Sequence, residues 1–132
     1  MEKRRVVITG LGAITPLGNS VAEFWSGIKA GKSGIGPITH FDASINKVHY
    51  AAEVKNFNPG DYMDPKEARK MARFSQYAVA AAKQALEDSN LMGNAEVLDE
   101  TGCILGVGIG GFEVTEASAK GYFNSGCTKT AP

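Results

Sequence analysis

Apolar positions recur along this chain at two periods, and the switches between them mark the elements. Val6-Val7-Ile8 is a short apolar run that stops at Thr9-Gly10, which predicts a buried strand. It ends in the glycine-rich turn Gly10-Leu11-Gly12-Ala13-Ile14-Thr15-Pro16-Leu17-Gly18-Asn19. Ser20-Val21-Ala22-Glu23 then reads as a capping box, and Val21, Phe24, Trp25 and Ile28 follow at helical spacing. The apolar stripe predicts a helix with core aromatics, stopped near Lys29-Ala30-Gly31. Residues 33–46 are rich in turn formers and predict a loop. Val48, Tyr50, Ala52 and Val54 alternate with more polar positions, which predicts a half-buried strand with His49 facing solvent.

Asp64-Pro65-Lys66-Glu67 joins a cap, a proline at the first position and a glutamate at the third, the strongest helix start in the chain. The helix should run to about Ser89, with Met71, Phe74, Ala78, Ala82 and Ala85 on one face. A loop over 90–101 leads to a second buried strand, Gly102 to Val107, with Cys103 as a small core residue. A second glycine turn, Gly106-Val107-Gly108-Ile109-Gly110-Gly111, precedes a helix from Phe112 to about Phe123, ended by Asn124-Ser125-Gly126. Two buried strands separated by long helical connections indicate an α/β sheet.

Neither glycine turn makes a dinucleotide fingerprint. The first has Thr15 where the third glycine belongs and then Pro16, and the second has no acidic residue ending a following strand. Tight backbone packing beneath a strand end is the better account of the glycines.

Composition narrows the class. With 43% hydrophobic and 21% charged residues the chain is ordinary globular material, and at 132 residues it reads as one domain. Fourteen basic and fourteen acidic residues cancel, so no global field favours nucleic acid or a membrane surface. The apolar run behind Lys3-Arg4-Arg5 is too short for a signal peptide, and no stretch approaches membrane-spanning length. Cys103 and Cys127 lack metal-ligand spacing and a CxxC partner. A cytoplasmic protein with free thiols follows as the expectation. Neither His40 nor His49 has the neighbours of a catalytic base.

Local charge is more informative. On the helix starting at Asp64, residues Lys66, Arg69, Lys70 and Arg73 fall at i, i+3, i+4 and i+7, a basic stripe clear of the apolar face. By itself such a run is a solvated helix face.

The stretch from Lys3 to Asn19 closely resembles the opening of the bacterial β-ketoacyl-[acyl carrier protein] synthases. The likeness continues through Gly31-Lys32-Ser33-Gly34-Ile35, His40-Phe41-Asp42, Lys66-Glu67-Ala68-Arg69-Lys70-Met71 and Gly108-Ile109-Gly110-Gly111, so it covers essentially the whole chain. Ile109 between glycines is similar to the synthase II branch. The resemblance implies a thiolase-like layered α/β fold, with residues 1–132 as the amino-terminal part of the synthase N-terminal domain.

The chemistry the resemblance implies is decarboxylative condensation. A cysteine thiolate accepts an acyl group from acyl carrier protein, malonyl carrier protein loses carbon dioxide, and the carbanion attacks the acyl thioester while two histidines stabilise the oxyanion and assist decarboxylation. The motifs of that cysteine and those histidines do not occur here, so the chain alone is expected to be inactive. Cys127, in Ser125-Gly126-Cys127-Thr128-Lys129, does not match the nucleophile's turn.

Carrier docking is instead implied at Lys66, Arg69 and Lys70, with Lys129 as a further basic position; Arg73 is an extension from the stripe, and Thr128 stands where an arginine is expected. Ile109 matches a residue lining the acyl channel. A homodimer is implied, with Phe24, Trp25, Phe74 and Phe112 incompletely buried in this piece, and no cofactor or metal. The alternatives are a chain-length or decarboxylase-like polyketide subunit and a non-catalytic carrier-binding module.

Overall fold

A computed structural model describes residues 3–128. Helix α1 (Val21–Lys29) begins where its capping residues predict. Ser20 Oγ accepts the Glu23 N–H at 3.2 Å, while Glu23 Oε2 accepts the Asn19 N–H at 2.7 Å. The reciprocal pair therefore reaches one residue further back than in the usual box. At the other end Gly31, at φ 63°, donates to the Ile28 carbonyl and Lys32 donates to that of Gly27, each at 3.0 Å. This 6→1 and 5→2 pairing needs the left-handed residue that glycine supplies. The stripe expected as core is only partly covered: Phe24 is half-buried, but Trp25 is 57% exposed.

The described sheet is a two-stranded antiparallel hairpin of β1 (Ile35–Pro37) and β2 (Tyr50–Ala52), in register Ile35 to Ala52 and Pro37 to Tyr50. β2 lies inside the predicted strand, whereas β1 falls in the segment expected to be loop. Its Gly36 and Pro37 carry no strand signal, and Pro37, which has no N–H, is tolerated on an edge. Glu53 fastens the hairpin by accepting from the Thr39 N–H at 3.0 Å, the Thr39 hydroxyl at 2.7 Å and the His40 N–H at 3.3 Å.

The single helix expected from Asp64 to Ser89 is two, α2 (Pro65–Ala68) and α3 (Arg73–Asp88), joined by a turn. Ala72 is extended, at φ −61° and ψ 152°, and Gln76 Nε2 donates to the carbonyls of Ala68 at 2.7 Å and Met71 at 3.3 Å. The Gln76 amide thus satisfies acceptors that the break exposes. A short helix, α4 (Ala95–Asp99), stands in the segment expected to be loop, capped by Asn94 Oδ1, which accepts the Val97 N–H at 3.3 Å. Helix α5 (Phe112–Asn124) agrees with its expectation within one residue.

The first glycine turn lies on α3. A Cβ built on Gly10 would press on the Ala85 carbonyl and stand 2.7 Å from Ser89 N, so tight packing does account for this glycine. Two side chains one turn apart on α3 hold the adjoining backbone. Asp88 Oδ2 accepts the Leu11 N–H at 2.9 Å, and Gln84 accepts the Ala13 N–H at 3.0 Å while donating to the Asn19 carbonyl at 2.7 Å. Tyr62 lies alongside, its ring stacked on Phe57, whose ring meets Tyr77 edge-on.

The two apolar runs are where expectation and structure part most. Neither Val6-Val7-Ile8 nor Cys103-Ile104-Leu105 is a strand, and Ile8 and Ile104 are 84% and 97% exposed. Buried strands need partners along both edges and cover on both faces, and the described residues provide neither. Cys103, expected in the core, is exposed. The buried hydrophobic residues are Ala43, Ala68 and Ala80, with no large side chain fully enclosed among the described residues.

Candidate functional site

The basic segment is built around the break between α2 and α3. Asp64 Oδ1 accepts the Lys66 N–H at 2.7 Å and fixes the start of α2. Ala72 has no capping oxygen, and Glu113 at the start of α5 supplies one instead, its Oε1 accepting the Arg73 N–H at 3.1 Å. Gln76 and Glu113 therefore shape the segment, yet neither is readable from it: one acts eight residues back onto Ala68 and the other reaches across 40 residues.

This geometry corrects the expected stripe. Lys66 lies on α2, Arg69 and Lys70 in the turn, and Arg73 at the first position of α3, so the four cations do not share one helix face. All four are exposed. Lys70 Nζ pairs with Glu67 Oε1 at 2.7 Å, while Lys66, Arg69 and Arg73 are in no ion pair among the described residues. Arg69 borders a shallow cleft of about 240 Å³ with Asn58, Gly60 and Gln76. Arg73 borders one of about 540 Å³ with His40, Phe74, Tyr77 and Glu113. Lys129 lies outside the described residues.

A separate apolar cleft of about 480 Å³ runs between α3 and the irregular segment 103–110, lined by Phe74, Ala78, Ala82, Cys103, Leu105 and Val107 among others. Ile109 is not part of its wall and is 86% exposed. The apolar face expected of α3 is thus real at Phe74, Ala78 and Ala82, which line this cleft opposite residues 103–110.

Both cysteines are free and exposed. His49 faces solvent as expected, and His40 Nε2 stands 4.0 Å from Glu53 Oε1. The Thr39 hydroxyl, followed by the Thr39 N–H, holds the Glu53 carboxyl below its ordinary pKa. Asp42 is lowered likewise by the Ser44 N–H. Among the described residues no cluster of His, Cys, Asp and Glu could hold a metal ion, and no helix is long and apolar enough to cross a membrane.

The backbone is of the ketosynthase class. It superposes on the ishigamide ketosynthase/chain length factor with a TM-score of 0.81 at 34% identity, covering 99% of this chain and 33% of that one. It also matches a type II polyketide ketosynthase, solved with its acyl-carrier protein and bound to the hexaketide, with a TM-score of 0.76 at 25% identity over 98% of this chain and 33% of that one. These are thiolase-like layered folds, and the chain is a portion of that α/β architecture.

Residues 3–130 match the β-ketoacyl synthase N-terminal domain, and the chain belongs to that family. It is 47% identical over 132 residues to 3-oxoacyl-[acyl-carrier-protein] synthase 2 of Coxiella burnetii and 45% identical over 132 residues to that of Synechocystis sp.. Each alignment covers 100% of this chain and 32% of the relative, so the chain spans about a third of the length of these curated relatives.

Proposed function

We propose that this chain is the carrier-receiving part of a condensing acyltransferase that elongates fatty acids by joining malonyl and acyl groups delivered on acyl carrier protein. The observation that carries the reading is its 44–47% identity, along essentially its whole length, to proteins named 3-oxoacyl-[acyl-carrier-protein] synthase 2. In the overall reaction malonyl loses carbon dioxide, its α-carbon bonds to the acyl carbonyl carbon, and that carbon's bond to the cysteine sulfur breaks, releasing the thiolate. Neither Cys103 nor Cys127 supplies that thiolate, so the chain by itself does not condense. The whole enzyme is a cytoplasmic homodimer.

Lys66, Arg69 and Lys70 dock the acidic carrier, with Arg73 extending the surface and Lys129 contributing near the chain end. Exposed cations on both sides of a helix break suit a partner held by charge rather than by a deep pocket. Ile109 borders the acyl channel of the whole enzyme, flanked by glycines that let the chain pass close to the backbone. A polyketide chain-length subunit is the second reading, favoured by the TM-score of 0.81 to a ketosynthase/chain length factor.

The test compares carrier-bound with carrier-free acyl thioester in the full-length enzyme. Reversing Lys66, Arg69 and Lys70 together should weaken carrier binding about three- to a hundredfold, from about 0.2–1 kcal/mol per exposed pair. Raising salt should act in the same direction, and carrier-free reactivity should hardly change. Equal activity with carrier-bound substrate, or equal losses with both substrates, would refute docking at these residues.

A further inference from the structure

We propose that Glu67 restrains the docking surface by competing, from within the chain, for the cation an acidic partner must reach. The inference rests on the docking reading and concerns the affinity and selectivity of that same surface.

Four cations lie between Asp64 and Arg73, and they are not equivalent. Lys70 Nζ is 2.7 Å from Glu67 Oε1, whereas Lys66, Arg69 and Arg73 have no carboxylate partner among the described residues. The turn creates the pair. The Lys70 N–H donates to the Glu67 carbonyl at 3.0 Å, which folds the chain back after α2 and sets Lys70 over the preceding turn. Glu67 has no second hydrogen-bonding duty: Asp64 caps α2, and among the described residues the Glu67 carboxylate accepts a hydrogen bond only from Lys70.

The two side chains are 70% and 55% exposed, so the pair is solvated and exchanges readily. An incoming carboxylate must displace Glu67 from Lys70 or share the ammonium with it, and in either case it approaches a negative charge standing amid the cations. Both effects lower affinity without abolishing it. A partner that must leave after each delivery is served by such a contact, and weakly acidic proteins are disfavoured because they gain only Lys66, Arg69 and Arg73.

The test measures binding of purified apo acyl carrier protein to the full chain at low and high salt, with Glu67→Gln, Lys70→Met and the double variant. Glu67→Gln keeps the side chain's length and removes no cap. It should tighten binding about two- to fivefold at low salt, and the gain should vanish at high salt. Lys70→Met should cost more in the Glu67→Gln background than in the original chain, because only there is Lys70 free of the Glu67 charge. Lys66→Glu with Arg69→Glu is the reference. If the reference weakens binding while Glu67→Gln leaves it unchanged or weaker, docking stands and the restraint is refuted. If neither variant changes binding, docking at this surface is itself refuted and the restraint falls with it.

Discussion

Gly12 lies against α3 so closely that a Cβ built on it would press on the Ala81 carbonyl, 2.8 Å from its carbon and 3.0 Å from Ala85 N. The obstructing atoms are helix backbone, which cannot swing aside as the end of a side chain can. Gly12→Ala should therefore cost about 1–3 kcal/mol, in the range of overpacked sites. Gly106 is the control, since nothing lies within 4 Å of the point a Cβ would occupy there and its φ is not in the left-handed range. Urea denaturation of the full chain should show a loss for Gly12→Ala and little change for Gly106→Ala; equal stability of the two variants would remove the packing account.

Gln84 makes the same contact specific. Its amide oxygen accepts from Ala13 and its nitrogen donates to the Asn19 carbonyl, so one side chain spans the glycine turn with both halves of its amide. Gln84→Glu keeps the acceptor but sets a carboxylate against the Asn19 carbonyl, whereas Gln84→Ala removes both bonds and a third, from Nε2 to the Tyr62 hydroxyl at 3.3 Å. Each should destabilise by about 1–3 kcal/mol, the cost of leaving part-buried groups unpaired. Hydrogen exchange at the Ala13 amide separates them: fast in Gln84→Ala, slower in Gln84→Glu. Identical exchange in both variants would argue against this orientation of the amide.

What the sequence made legible was local chemistry. Ser20 with Glu23, the stop at Gly31 and the Asp64-Pro65 start all act within a few residues, and all appear where the residues predict them. The break after Ala68 was not legible, because it is supported by Gln76 and by Glu113 on another helix. The apolar runs at Val6 and Cys103 have strand composition, but pairing depends on neighbours that the described residues do not contain. The basic residues of the candidate site were therefore found by type and misjudged in arrangement, since their arrangement is set at a distance.

The hairpin should be sensitive to acid through Glu53. Its carboxyl is held below the ordinary value chiefly by the Thr39 hydroxyl, and its side chain is only 10% exposed. A lowered folded-state pKa means that the stabilisation is complete above the unfolded value and is lost as pH falls through the folded one. The Thr39 amide signal should hence follow the Glu53 carboxyl with a midpoint below the ordinary glutamate value. A midpoint at or above the ordinary glutamate value would contradict the clamp.

Glu113 ties α5 to the basic segment, and that tie is open to a clean experiment. The Arg73 N–H opens α3 with no cap from Ala72, so its acceptor is the Glu113 carboxylate at 3.1 Å. Glu113→Gln retains an oxygen there and should preserve the bond, while Glu113→Ala should cost about 0.5–2 kcal/mol, as loss of a capping acceptor does. The local readout is exchange of the Arg73 amide, which should accelerate in Glu113→Ala and hardly change in Glu113→Gln. Because the start of α3 positions Arg73 relative to the turn carrying Arg69 and Lys70, the alanine variant should also weaken acidic-carrier binding slightly, although it removes a negative charge. A purely electrostatic role predicts the opposite: both variants would bind the carrier more tightly, and by the same factor. Tighter binding in Glu113→Ala together with unchanged Arg73 exchange would thus overturn the capping role.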